Sequence, residues 1–179
     1  AILSLSVYFL IRVEGRWGEG DTSLFSRATT AMLSEETLIP EKVVYSNGYG
    51  YQSLVVVLSH FTGINIIAFQ TILSIILTAW VILPAWLLYR EFTNSNKVAT
   101  LALILLLIQP EFLFVLLRGT HETFTRGLML LCWFFLLKGV RSYHKIRQFV
   151  AWILSLYLST YALIAFNSFH AASFIGATI

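Results

Sequence analysis

The chain has 179 residues, of which 58% are hydrophobic and 12% charged, and its formal net charge is +3. A typical soluble domain carries charge on about a quarter of its residues, so soluble enzymes and disordered binders are excluded and an integral membrane protein is expected. The basic residues form no patch interleaved with aromatics, which argues against nucleic acid as a partner, and the single cysteine, Cys132, has nothing to pair with inside the chain.

Five membrane spans are expected, because a bilayer core takes about 20 apolar residues per helix and disfavours ionised ones. The first is the apolar run ending near Val13. It starts without Met, and the chain stops inside another apolar run, 171–179, so 1–179 reads as one transmembrane module from the N-terminal part of a larger protein. A cleaved signal peptide would need a basic segment before the first run and a small-residue cleavage site after it. The second span is 65–89, inside a stretch, 43–89, that holds no Asp, Glu, Lys or Arg. The third is 98–117, interrupted by Pro110 and Glu111; the fourth is 123–140, with Arg126 and Lys138 inside its ends; the fifth is 149–169. Pro84 and Pro110 are expected to kink the spans that hold them.

Two short connections are basic. Arg90 and Lys97 bracket one, and Lys138, Arg141, Lys145 and Arg147 crowd the other, so both are expected on the cytoplasmic side. A cytoplasmic N-terminus, a long external or lumenal loop at 14–64 and a shorter one at 111–126 follow. The long loop far exceeds the usual connection length, and such loops are commonly functional. Within it Asp21 is placed to cap a helix carrying Leu24, Phe25, Ala28, Ala31 and Met32 at helical spacing and ending near Ser34-Glu35-Glu36. A second helix, from the Tyr49-Gly50-Tyr51-Gln52 stretch to Gly63, is apolar, uncharged and too short to span, and is expected to lie in the membrane interface. The fold class is therefore all-α: a polytopic helical bundle of about five spans with two interfacial helices in its first external loop.

Candidate chemistry lies in the two external loops. Glu19 and Asp21, flanked by glycines just outside the first span, are a carboxylate pair of the kind that deprotonates an acceptor or ligates a metal. The competing reading is an Asp21 helix cap beside a solvated Glu19. In the second loop Arg118, Glu122 and Arg126 recur at every fourth position, so a continuous helix would stack them on one face at headgroup depth. Arginine binds phosphate bidentately; the alternative is an interfacial ladder of salt bridges. Glu111 follows Pro110 at membrane depth, where ionisable residues usually face a cavity. His60 and His170 are isolated and read as packing residues, and no phosphate-binding loop, dinucleotide fingerprint or zinc motif occurs.

This order of a first span, an acidic motif, two loop helices and the stretch Tyr45-Ser46-Asn47-Gly48-Tyr49-Gly50-Tyr51 resembles the N-terminal module of the GT-C glycosyltransferases. That superfamily includes protein O-mannosyltransferases, aminoarabinose transferases and oligosaccharyltransferase catalytic subunits. The resemblance implies sugar transfer from a polyprenyl-phosphate donor to an acceptor protein or glycolipid in the bilayer. Asp21 would act as catalytic base, with Glu19 the next candidate. Glu19-Gly20-Asp21 reverses the Asp-Glu order of the O-mannosyltransferase group and inserts a glycine. Arg118, His121, Glu122, Arg126 and Glu111, with Tyr49 and Tyr51, would bind substrate, Arg118 and Arg126 with His121 holding the lipid phosphate. No cofactor is required; a divalent metal is conceivable on Glu19, Asp21, Glu111 and Glu122, as the oligosaccharyltransferase resemblance suggests. A transporter or channel subunit, in which Glu111 and the arginines line a path, and a non-catalytic scaffold are the rival readings.

Overall fold

The computed structural model describes residues 7, 11, 20–37, 48–116 and 120–178, and within these the side chains of 20–22, 71–79, 113, 114 and 116 are not described. Glu19, Arg118, residues 38–47 and nearly all of the first expected span lie outside the described residues. Among the described residues all regular structure is helical. The elements are α1 (Gly20–Glu35), α2 (Gly50–Thr62), α3 (Ile66–Thr93), α4 (Asn96–Leu107), α5 (Pro110–Leu116), α6 (His121–Arg141), α7 (Ile146–Phe166) and α8 (Ser168–Gly176).

The two loop helices form where the apolar spacing puts them. In α1, Phe25, Ala28 and Met32 share one face and are buried, and Thr29 satisfies its hydroxyl on the Phe25 carbonyl at 2.7 Å. The helix includes Gly20, so Asp21 stands inside its first turn and not at the cap. α2 stops at Gly63, whose left-handed φ of 69° turns its N–H back to the Ser59 carbonyl at 2.9 Å.

α2 is packed within the protein on one side. Tyr51, Gln52, Val55 and Ser59 are buried, while Val57 and Phe61 on the opposite face are exposed. Phe25, Tyr51, Val55, Ile66 and Phe69 make one core, with Phe124 and Phe166 against it. The glycines before α2 permit this approach. A side chain at Gly48 or Gly50 would begin 2.5 or 2.8 Å from the Ala165 carbonyl oxygen, and Gly48 has a φ of +119°.

α3, α6 and α7 form the long part of the bundle, with α4 against α3. Trp80 lies on Gly127, and farther along Glu91 meets Lys138 and Arg141, so α3 and α6 run in the same direction. α7 returns antiparallel, with Asn167 beside His121 and Ile153 beside Gly139. α6 has 21 residues, which at about 1.5 Å per residue separates its ends by roughly 30 Å.

The expected spans differ in detail from the helices. α3 continues through Pro84, which is buried. The third stretch is divided: α4 ends at Leu107, the Gln109 N–H turns back to the Leu106 carbonyl at 3.2 Å, and α5 begins at Pro110. Proline has no N–H for the helix ladder and pushes the residue before it out of helical conformation, so the chain restarts there. The fifth stretch ends at Phe166, because Asn167 is extended and its side chain caps α8 through the His170 N–H at 3.1 Å.

Among the described residues two helices, α6 and α7, are by length and composition long and apolar enough to cross a membrane. On α7 the residues Val150, Leu154, Tyr157, Leu158, Tyr161 and Ile164 are exposed, and Val98, Leu101, Leu105 and Ile108 are exposed around α4. Apolar faces of this extent, uncovered by the described chain, suit a lipid surround better than water.

Candidate functional site

Tracing the candidate residues onto these helices separates them into two groups. The first is a buried polar joint where α1, α2, α6 and α7 meet. His121 opens α6 and is 4% exposed; its Nε2 lies 2.7 Å from Asn167 Nδ2, and its ring lies tilted against Phe25, with centroids 4.8 Å apart. The Asn167 carbonyl oxygen is already occupied by the His170 N–H, so the amide nitrogen donates to His121 Nε2. Tyr51 is 1% exposed and sits edge-on to Phe25, with Phe124 beside it. Burial raises its phenol well above the ordinary range, with the neighbouring Gln70 side chain acting in the opposite sense. Ser26 donates to Gln70 Oε1 at 2.7 Å, which ties α1 to α3. His121 and Tyr51, expected to bind substrate, thus stand in the packed joint. Tyr49, half-buried, precedes α2.

The second group surrounds an apolar cleft of about 410 Å³ between α3, α4, α6 and α8. Leu106, Met129, Leu130 and Trp133 supply its walls, with Tyr89 and Gln109 as polar points; Arg126, Phe112 and His170 complete the lining. The Arg126 guanidinium lies 5.5 Å from the Phe112 ring centroid and 4.0 Å from Glu111, whose side chain is 88% exposed. An exposed carboxylate at that distance holds an arginine weakly, and the aromatic face leaves its donors free to turn. Glu122 and His170 are close enough to influence one another electrostatically.

Arg126 and Glu111, on separate helices, are therefore brought to within 4.0 Å of each other. The continuous helix that would have stacked Arg118, Glu122 and Arg126 does not form, because Thr120 is extended (φ −121°, ψ 169°) and α6 starts only at His121. Sequence reasoning set His170 aside as a packing residue. The signal it missed is Asn167, an Asn after an apolar run, which stops α7 and turns the next helix so that His170 lines the cleft.

The His170 ring nitrogen Nδ1 is buried with no hydrogen-bond partner among the described residues. Burial, the largest cause, lowers its proton affinity; Glu122 opposes this and Arg126 adds to it. Folding therefore disfavours the protonated form of His170 relative to the unfolded chain, whose ordinary value is about 6.5, and stability falls as pH drops through that range. Thermal unfolding of the full-length protein between pH 8 and 5.5 should show this decline, and His170→Gln should make it shallower.

Among the described residues no three His, Cys, Asp or Glu side chains gather as a metal site. The chain matches no protein-family model, no curated protein and no solved structure.

Proposed function

We propose that the chain is the donor-side module of a polytopic membrane glycosyltransferase. It moves a sugar from a polyprenyl-phosphate carrier to an acceptor protein or glycolipid at the external or lumenal face. The observation that carries this reading is the apolar cleft with Arg126 among its lining residues. A polyprenyl phosphate has the same two-part chemistry, a long apolar tail and an anionic head.

In this reading five spans cross the bilayer with the N-terminus cytoplasmic, and the Arg126 end of the bundle faces outward. Lys138, Arg141, Lys145 and Arg147 lie on the opposite, basic turn, which favours that orientation. Arg126, joined by Arg118 from the preceding segment of the sequence, binds the phosphate. Asp21, with Glu19 as the alternative, takes the proton of the acceptor hydroxyl. The acceptor oxygen then forms a bond to the anomeric carbon, the bond from that carbon to the phosphate oxygen breaks, and the electron pair leaves on the phosphate. Arginine donors placed at the leaving phosphate favour the transition state over the ground state. No step requires a metal.

The test is reconstitution of the full-length protein in vesicles with a radiolabelled polyprenyl-phosphate sugar on one side. Labelled acceptor together with free polyprenyl phosphate is the expected result. Movement of labelled donor across the vesicle wall with no transfer would favour a transporter, and neither transfer nor movement would favour a scaffold.

A further inference from the structure

At the end of the bundle opposite Arg126, a cavity of about 610 Å³ opens between the end of α3, the start of α4 and the facing stretches of α6 and α7. Arg90, Glu91, Asn94, Asn96, Lys138 and Trp152 are among its lining residues. Glu91 is the centre of an ion cluster. Its carboxylate accepts from Arg141 at 2.9 Å and lies 3.3 Å from the Lys138 ammonium, and Arg141 also donates to the Glu91 main-chain carbonyl. Partial burial by itself would raise the Glu91 pKa, but the hydrogen bonds and charges of Arg141 and Lys138 outweigh it and hold the carboxyl below its usual range.

Two cations, Arg90 and Lys138, line the cavity with one carboxylate, Glu91, which Arg141 also pairs from outside the lining, so the group carries an excess of positive charge. Two of the cations are steadied by aromatic faces: Arg90 lies 5.3 Å from the Trp86 ring centroid and Lys138 5.5 Å from that of Trp152. Arg90 has no carboxylate partner among the described residues, so its guanidinium donors are available. Asn94 and Asn96 add neutral side-chain amides at the α3–α4 turn, where Asn94 adopts a left-handed φ of 52°. Exposed apolar residues stand on the same helices near this end: Phe92 on α3, Val98 on α4 and Val150 on α7.

We infer that this cavity is an anion site that takes a phosphate group, with the headgroup of an acidic phospholipid as its source and the acyl chains lying along the exposed apolar residues. Paired cations in a recess between apolar helices have the chemistry that anionic headgroups require. The site is distinct from the Arg126 cleft, lies at the other end of α6, and does not depend on sugar transfer.

The experiment uses full-length protein in an uncharged detergent. It is titrated with short-chain phosphatidylglycerol, phosphatidylcholine and inorganic phosphate, and binding is read by native mass spectrometry and by the shift in melting temperature. The expected result is a saturable phosphatidylglycerol site that phosphatidylcholine does not fill. Arg90→Gln should weaken it about fivefold, the size of one basic residue's attraction to an anionic headgroup, at an unchanged melting temperature of the lipid-free protein. Lys138→Gln is the second variant and should weaken it further. Competition by millimolar phosphate would assign the site to phosphate from either source, and failure to compete would assign it to the lipid headgroup. Equal binding of the two lipids with no Arg90-dependent phosphate binding would overturn the inference. So would a Lys145→Gln/Arg147→Gln variant losing as much affinity as Arg90→Gln, because the attraction would then be that of the surface turn.

Discussion

Arg126→Gln should lower the turnover number for sugar transfer by about 10²- to 10³-fold, the usual effect of removing one preorganised donor from a developing oxyanion. The Arg126 side chain, 28% exposed, lines the apolar cleft, with its guanidinium over the Phe112 ring and at the limit of ion pairing with Glu111. An exposed pair of this kind contributes on the order of 0–1 kcal/mol to stability, so the variant should fold normally and its melting temperature should change little. Arg126→Lys keeps the charge and loses the bidentate fork, and should fall between the wild type and Arg126→Gln. Glu111→Gln should leave turnover nearly unchanged, because Glu111 is solvated and restrains Arg126 only weakly. Steady-state transfer assays on the four proteins check the series; equal turnover for wild type and a folded Arg126→Gln would remove Arg126 from the site.

Asp21→Asn should reduce transfer by about 10²- to 10⁴-fold, the range expected for loss of a general base. Its place in the chain supports this. Phe25, one turn farther along α1, touches both His121 and Tyr51, so the start of α1 stands close to the start of α6, the helix that carries Arg126. Asn preserves size and is compatible with the first turn of a helix; the lost charge at that terminus costs about 0.3–1 kcal/mol. Folding, read by thermal unfolding, should therefore survive while transfer does not. Glu19→Gln should have the smaller effect of the two. A folded Asp21→Asn protein with full activity would sink the assignment of Asp21 as base.

The loop helices were legible because periodic apolar residues and punctuating glycines act locally. Phe25, Ala28 and Met32 mark the buried face of α1, and Gly63 closes α2. The basic turn was legible because Lys138 and Arg141 had to escape an apolar run, and both are found on Glu91. What the sequence hid depends on long-range packing. An uncharged tyrosine-rich segment has the same composition whether it lies on lipid or on protein, and only the approach of Gly48 and Gly50 to Ala165 turns Tyr51 into the core. The break at Asn167 was hidden for a related reason: an Asn within an apolar run becomes a cap only when its side chain finds both the His170 N–H and His121. That break in turn brings His170 to the cleft. The pairing of Arg126 with Glu111 rests on the restart of the chain at Pro110, which a hydropathy reading treats as a kink.

The central claim, that the cleft holds the carrier lipid by its head and tail together, is tested most directly by photo-crosslinking. Full-length protein in vesicles is incubated with a polyprenyl phosphate bearing a photoreactive group on its first isoprene unit, irradiated, and mapped by peptide mass spectrometry. Labels are expected at Leu106, Met129, Leu130 and Trp133, displaced by unlabelled polyprenyl phosphate and weakened in Arg126→Gln. Labels confined to the exposed face of α7, at Leu154, Tyr157 and Tyr161, and unaffected by Arg126→Gln, would contradict it.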